Sequence, residues 1–311
     1  MTMQIRMMNK NGIVTTKIAR ELMTISEGGR IDTVSGYAKR FDTARGTVQE
    51  VIKLLEKEEC VKFLKRGHLG TFITFADYEK LWQFTNWGVL TGASPLPYTK
   101  KHEGIATAIY HQMQQRHIPF SFAYMQGAAN RVRGLLDHRY DFAILNKRSA
   151  IEFISNHKEL EIIIEFKPQS YLSGYAILFS KADNNEISNG MKVGLDNNSP
   201  DHVVLTEKIC LGKNVEYVNI SYSQMIPSLL KGDIDAAVYN EDVITKPELE
   251  GVISYKSINL KDHVDNEQTK AVILINNEAF GVENLLKQII NIEDVDKIQR
   301  EVISGNIIPT Y

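Results

Sequence analysis

Arg45, Thr47, Gln49 and Lys53 lie in a stretch, Thr43 to Leu55, whose apolar residues repeat with helical spacing. Val48, Val51, Ile52 and Leu55 recur at steps of three and four, which places them on one side of a helix. The four polar residues are left outside that side. Their chemistry is that of nucleic-acid contact: Arg suits phosphate and guanine edges, Gln suits adenine edges, and Thr serves either. A solvated helix face is polar as well, so the neighbouring segments decide what this one is for.

Before it, Val34, Tyr37, Ala38 and Phe41 mark a short helix that breaks at Phe41-Asp42. After it, Cys60 to Thr74 reads as two short strands around a Gly-containing basic turn. Two helices joined tightly, followed by a basic hairpin, form a winged helix-turn-helix layout. In that layout Thr43, Arg45, Thr47 and Gln49 face bases and phosphates. Lys65, Arg66 and His68 lie in the wing, near the DNA backbone.

The run from Arg30 to Ile73 resembles the winged-helix domain of GntR-type bacterial transcription regulators. Arg45, Thr47 and Val48 match the Ser-Arg-x-Thr-Val core of their recognition helix. Gly70, Thr71, Phe72 and Ile73 match the Gly-Thr-Phe-Val end of their wing. Two departures stand out. Ala44 replaces the usual Ser, and Ile31-Asp32-Thr33 replaces the usual Pro-Ser-Glu opening. The chain as a whole resembles YhfZ-type regulators, which join such a head to a binding-protein-like body. The resemblance implies a homodimer whose partners are double-stranded DNA and a small-molecule effector.

Composition is that of an ordinary globular protein, with 43% hydrophobic and 24% charged residues in 311. The net charge of -2 is unevenly spread. Residues 1–75 hold 13 Lys and Arg against 8 Asp and Glu, a net of +5, and the remainder nets -7. A basic head on an acidic body suits DNA contact by the head. Cys60 and Cys210 stand alone, without metal or redox spacing, and read as free thiols in a reducing compartment. Met1 to Lys10 lacks the apolar core of a signal peptide, and no run approaches the ~20 apolar residues of a membrane span. A cytoplasmic protein without membrane association is expected.

Beyond Phe75 the chain alternates. Gly88–Thr91, Ser121–Tyr124 and Asp141–Leu145 read as strands, with Lys101–Gln115 and Asn130–His138 helical between them. Leu160–Phe166 and Tyr175–Phe179 are further strands. A second set follows: strands at Lys192–Leu195, Val215–Asn219 and Ala236–Tyr239, helices at Pro200–Cys210 and Tyr222–Leu230. Lys270–Ile275 reads as a returning strand, and Val282–Ser304 as one closing helix. This alternation argues for an α/β fold with parallel strands. The aromatic stretch Tyr78–Trp87 reads either as a linker helix packed on the body or as part of a dimer contact.

One pattern recurs. Leu135-Leu136 precedes Asp141-x-Ala143-Ile144 by the same interval as Leu229-Leu230 precedes Asp235-x-Ala237-Val238. Each is a helix end turning into a buried strand, which implies two similar lobes. Residues 88–311 resemble the type 2 periplasmic-binding-protein fold, whose lobes close around a small molecule. The expected organisation is a winged-helix domain over 1–76 and a two-lobed α/β domain over 77–311, with lobe exchange near 175–190 and 265–275.

In such lobes ligands sit beyond the strands' carboxyl ends, near helix N-termini whose free N–H groups attract anions. The loops so placed supply Ser94, Gln126, Asn130, Arg131, Asn146, Asn198, Ser199 and Tyr239 as candidate ligand residues. Ser199-Pro200 is a strong helix start, so capping is the expected role of Ser199. Gln126-Gly127-Ala128-Ala129, with Arg131 and Arg133 beside it, is the better anion site. Asp196 or Glu241 would then hold a donor or amine of the ligand.

No enzyme signature appears. The nucleotide-binding glycine loops, the His-Glu-x-x-His zinc motif and the Gly-x-Ser-x-Gly elbow are all missing. His102, His111, His117 and His138 fall on polar or helical stretches where solvation is expected. No cofactor, metal or catalytic residue is expected, and the reading is a non-enzymatic, ligand-responsive DNA-binding regulator. The alternative is an intracellular solute-binding module or enzyme whose head serves protein contacts.

Overall fold

The computed structural model describes residues 10–181, 184–244, 253–258, 266–279 and 281–311. Residues 1–9 of the N-terminal segment read for a signal peptide therefore lie outside the described residues, as do 182–183 and 265 of the expected lobe exchange. The chain divides into two compact units: residues 1–90, 111–120 and 280–290, and residues 91–110, 121–279 and 291–311.

The first unit holds α1 (Lys10–Leu22), α2 (Val34–Arg40), α3 (Arg45–Lys57), β1 (Val61–Lys65), β2 (Thr71–Ala76) and α4 (Tyr78–Thr85). Thr33 caps α2 by accepting the Gly36 amide at 3.0 Å. α2 ends at Phe41, and Asp42 then takes a left-handed conformation that turns the chain. Val48, Val51 and Leu55 of α3 are buried, with Ile52 partly so. β1 and β2 pair antiparallel from Val61↔Ala76 to Lys65↔Thr71, and a 3-10 turn, Gly67–Leu69, joins them. The aromatic stretch forms α4 and packs against α1 inside this unit, where Arg20 Nε donates to the Thr85 carbonyl at 2.8 Å.

The second unit has two five-stranded sheets. Its further elements are β3 (Leu90–Ser94), α5 (Lys100–Gln115), β4 (Phe120–Tyr124), α6 (Ala128–Leu136), β5 (Phe142–Asn146), α7 (Lys147–Asn156), β6 (Leu160–Glu165), β7 (Tyr175–Phe179), β8 (Lys192–Leu195), α8 (Pro200–Ile209), β9 (Glu216–Asn219), α9 (Met225–Lys231), β10 (Ala236–Asn240), β11 (Ser254–Ser257), α10 (Asn266–Thr269) and β12 (Ala271–Asn276). Residues 111–115 of α5 and all of α11 (Val282–Ile289) fall in the first unit, and α12 (Ile292–Ile303) in the second. Sheet order is β4-β3-β5-β12-β6 in one lobe and β11-β7-β10-β8-β9 in the other.

The recurring pattern has a structural counterpart. Asp141 accepts the Thr91 amide at 2.7 Å, and Asp235 accepts the Lys192 amide at 2.8 Å. Each aspartate ties the start of its own strand, β5 or β10, to the strand beside it. Val132, Leu135, Leu145 and Leu274 fill the first lobe's core, and Met225, Leu229, Ile234 and Leu178 fill the second's.

Several expectations need correction. The sheets are mixed, not parallel: β12 runs antiparallel to both β5 and β6, and β7 antiparallel to both β10 and β11. In each sheet one strand runs against both of its neighbours, which local alternation does not reveal. The chain enters the second sheet at Tyr175, so the first exchange falls between Glu165 and Tyr175, ahead of 175–190. Asn146, expected in a loop, ends β5 and caps α7 at once by accepting the Ser149 amide at 2.8 Å. The closing helix is two helices. Asn291 breaks it by capping α12, accepting the amides of Glu293 and Asp294 at 2.9 and 3.2 Å.

Candidate functional sites

In the first unit the exposed flank of α3 carries Arg45, Gln49 and Lys53, while Thr43 and Thr47 are half-buried at its edge. Ala44 occupies the N-cap position with extended backbone and offers no side-chain cap, so the first-turn amides of α3 gain no hydroxyl partner there. Arg40 is engaged within the unit itself. It bridges Glu21, at 2.8 Å, and Asp32, and lies over the Tyr37 and Phe41 rings. In the wing Lys65, Arg66 and His68 are exposed. Arg66 lies over the Phe72 ring at 5.2 Å and Lys62 over Phe75 at 5.5 Å. Aromatic faces thus hold two wing cations in place without neutralising them. Gly70, at φ 103, completes the turn, and a Cβ there would meet the Arg30 side chain.

In the second unit a cavity of about 70 Å³ lies between the two sheets' lobes. Of the predicted ligand residues, Gln126, Arg131, Asn146 and Ser199 line it. The other four, Ser94, Asn130, Asn198 and Tyr239, are not among its lining residues. The Ser94 carbonyl accepts the Met125 amide at 2.9 Å, and Asn130 Nδ2 donates to the Gln126 carbonyl at 3.0 Å. The carbonyl of exposed Asn198 accepts the Ala129 amide at 3.1 Å. Tyr239 stacks on Tyr222 with ring centroids 4.2 Å apart.

The lobes are drawn together by hydrogen bonds around this cavity. Asp201, in the first turn of α8, is only 7% exposed. Its carboxylate accepts from Asn146 Nδ2 at 3.0 Å and Ser149 Oγ at 2.8 Å, both from the first lobe. It also accepts from Tyr175 Oη at 3.0 Å. Ser223 Oγ donates to Gln126 Oε1 at 3.1 Å. Gly127 sits at this closure with φ 76, and a Cβ would stand 2.9 Å from Asn198 Cβ. Only glycine tolerates both the backbone angle and that approach.

The expected capping role of Ser199 is corrected. Ser199 precedes α8 at the N-cap position, but its hydroxyl makes no capping bond and the residue faces the cavity. Its ψ of 90 differs from the ψ near 150 of the capping Thr33 and Asn146. Asp196 and Glu241 are engaged by the protein itself. Buried Asp196 accepts the amides of Asn198 and Tyr222, at 2.9 and 3.1 Å, and Glu241 accepts the Ser257 hydroxyl at 2.7 Å.

Arg131 and Arg133 separate, as residues two apart on a helix must. Arg133 is exposed, whereas Arg131 is 3% exposed. Arg131 Nη1 donates to the Met125 carbonyl at 2.8 Å and Nη2 to Tyr171 Oη at 3.4 Å, and Nε has no hydrogen-bond partner. Gln126 Nε2 is likewise unpartnered.

His102 corrects the expectation of a solvated residue. It is 7% exposed, lines the cavity, and meets the Tyr171 ring edge-on at 4.9 Å. Burial, then the Arg131 charge, push its pKa down to about 3, so the ring is neutral at neutral pH. The signal was available: His102 lies three residues before Ile105 and seven before Ile109, on the buried face of α5. His202, also lowered by burial, receives the Asp196 amide on Nδ1 at 3.3 Å and lies 3.0 Å from the Val238 carbonyl through Nε2. Those contacts fit a neutral ring protonated on Nε2. Tyr171, Tyr175 and Tyr222 complete the wall, and burial raises the pKa of each, so all three are un-ionised hydroxyls.

Among the described residues no cluster of His, Cys, Asp and Glu could hold a metal ion, and no helix is long and apolar enough to cross a membrane. Cys60 and Cys210 are buried free thiols in different units. Burial pushes the Cys60 pKa up to about 11, which leaves it a poor nucleophile.

The chain matches the helix-turn-helix domain family over residues 26–73 and the YhfZ C-terminal domain family over residues 77–311. It is 30% identical over 303 residues to the protein YhfZ of Escherichia coli (strain K12), covering 97% of this chain and 98% of that protein. The crystal structure of YhfZ from Shigella flexneri is similar at a TM-score of 0.60 and 29% identity, over 76% of this chain and 98% of that one. The alkanesulfonate-binding protein SsuA from Xanthomonas axonopodis pv. citri, bound to MOPS, is similar in fold at 12% identity. Its TM-score is 0.55, over 70% of this chain and 75% of that one. A helix-turn-helix head thus precedes an α/β body of solute-binding-protein type, and the chain belongs to the YhfZ family.

Proposed function

We propose that this protein is a ligand-responsive transcription regulator of the GntR-like, winged-helix kind. Two copies would bind operator DNA together in the cytoplasm, with α3 in the major groove and the wing against phosphates. The observation that carries the reading is the exposed Arg45–Gln49–Lys53 flank, flanked in sequence by a wing whose cations are held on aromatic rings. Arg and Gln read base edges, while Lys65, Arg66 and His68 supply the sequence-independent part.

The second unit would be the sensor. A small polar molecule in the interlobe cavity stabilises the closed lobes, and that stabilisation biases the DNA affinity of the head. The likeness of this unit to solute-binding proteins supports the fold part of this reading. We read the cavity as binding without catalysis. His202 is engaged at both ring nitrogens, and His102 packs against a tyrosine ring instead of a hydroxyl nucleophile.

The test is an electrophoretic mobility shift of the full chain on the duplex upstream of its own gene. A retarded band that an unlabelled copy of that duplex removes, and a shuffled duplex does not, is expected. Equal competition by both would overturn the regulator reading.

A further inference from the structure

A guanidinium shut away from water needs a counter-charge or a full set of acceptors. Arg131 has neither. It is 3% exposed, its two bonds go to a carbonyl and a tyrosine hydroxyl, and Nε is left without a partner. Gln126 faces the same cavity with its oxygen engaged by Ser223 and its amide nitrogen unpartnered. Ala128, the first residue of α6, lines the cavity too, and its N–H has no intrahelical acceptor, whereas the next amide, of Ala129, is taken by the Asn198 carbonyl at 3.1 Å. Donors converge there with no charged acceptor to spare; the His102 ring nitrogens, also without a partner, belong to an uncharged ring.

The opposite charge is already spoken for. Asp201 lines the cavity, but both its oxygens accept from Asn146, Ser149 and Tyr175. An ammonium group would find no unshared carboxylate, and a second negative charge on the ligand would face Asp201. The space is small. A cavity of about 70 Å³ holds about five to seven water-sized groups, at the 10–15 Å³ that one water needs by this measure. Its remaining wall is largely aromatic and aliphatic, from Tyr171, Leu172, Tyr222 and Val243.

We propose that the cavity takes a compact organic monoanion, a carboxylate or a sulfonate without an amino group, whose anionic head meets Arg131 Nε, Gln126 Nε2 and the Ala128 N–H at the start of α6. This rests on the second unit being the sensor. The uncharged remainder of the wall, which includes Leu172, Tyr222 and Val243, receives the short body of the ligand.

The experiment is calorimetry and thermal melting of the full chain with propanoate, propane-1-sulfonate, alanine and inorganic phosphate. Propanoate or propane-1-sulfonate should bind saturably, and the stronger of the two identifies the head group. Alanine and phosphate should bind far more weakly. Arg131→Gln should weaken the monoanion by at least about 30-fold, as expected for removing one partner of a buried charge pair. Gln126→Glu, which sets a carboxylate against the anion, should abolish binding while the circular dichroism spectrum stays unchanged. Tighter binding of alanine or phosphate, full affinity in either folded variant, or no binding by any of the four would overturn the proposal. Mobility shifts on the same samples separate the two readings, because specific DNA retention persists if only the ligand class is wrong.

Discussion

Replacing Asp201 with Asn tests whether the lobes are held closed by one shared carboxylate. Three donors converge on it at 2.8–3.0 Å, two from the first lobe and one from the second. Asn keeps the shape and one acceptor oxygen but turns the other into an NH2 group. That NH2 must face donors already in place, from Asn146 and Tyr175 or from Ser149. Hydrogen bonds to a charged group contribute about 1.5–3 kcal/mol each, and an unmatched buried donor costs about 1–3 kcal/mol more. Loss of charge on all three bonds and of at least one bond outright gives a destabilisation of about 3 kcal/mol or more. For a unit of this size that lowers the melting temperature by roughly 6–12 °C. Ser149→Ala removes one bond and leaves the charge, so it should cost about a third to a half as much. Differential scanning calorimetry measures the melting shift, and small-angle scattering of the same samples reports opening as a larger radius of gyration. An Asp201→Asn protein that melts within about 1 °C of the parent, at unchanged radius, would refute the latch reasoning.

Further outcomes follow from particular residues. Arg45→Ala should weaken specific DNA binding by roughly 1–3 kcal/mol in fluorescence anisotropy. Because Arg45 is exposed, its stability in urea should stay within about 0.5 kcal/mol of the parent. Gly127→Ala should destabilise by about 1–3 kcal/mol through its φ of 76 and remove lobe closure through the clash with Asn198, both read by calorimetry and scattering. His102 makes stability depend on acid. Its folded pKa of about 3 lies below the unfolded value near 6.5, so the unfolded chain binds the proton first. Its stabilising contribution is complete above about pH 6.5 and is lost as pH falls toward 3, a deficit of about 2 kcal/mol at pH 5. Urea titrations at pH 8 and pH 5 should show that difference shrink in His102→Leu.

The helix-turn-helix head was legible because its signals are local. The apolar steps Val48, Val51 and Leu55 and the Phe41-Asp42 break each lie within a few residues, and burial of those side chains follows from them. The lobe pattern was legible for a related reason. Asp141 and Asp235 perform one backbone task in two places, so the sequence repeats itself. What escaped depends on residues far apart. Asp201 meets Asn146 across 55 positions, and nothing near Ser199-Pro200 announces that its acid will leave the helix end to join another lobe. Arg131 and Arg133 look alike in sequence, and only the helix face decides which one is buried. Other signals were local but unused. Asn291, followed by Glu293 and Asp294, is a capping pattern that splits the final helix, and Asn146 is the same device ahead of α7.

The central claim is that α3 reads DNA sequence. Fluorescence anisotropy of the upstream duplex, titrated with the full chain and with Arg45→Ala across a salt series, addresses it directly. The predicted result is tighter binding to that duplex than to a shuffled one and log affinity falling by about 0.9 per phosphate contact for each unit of log salt. Arg45→Ala should lose most of the preference between duplexes. Equal affinity for both duplexes in the parent protein, or a preference untouched by Arg45→Ala, would contradict it.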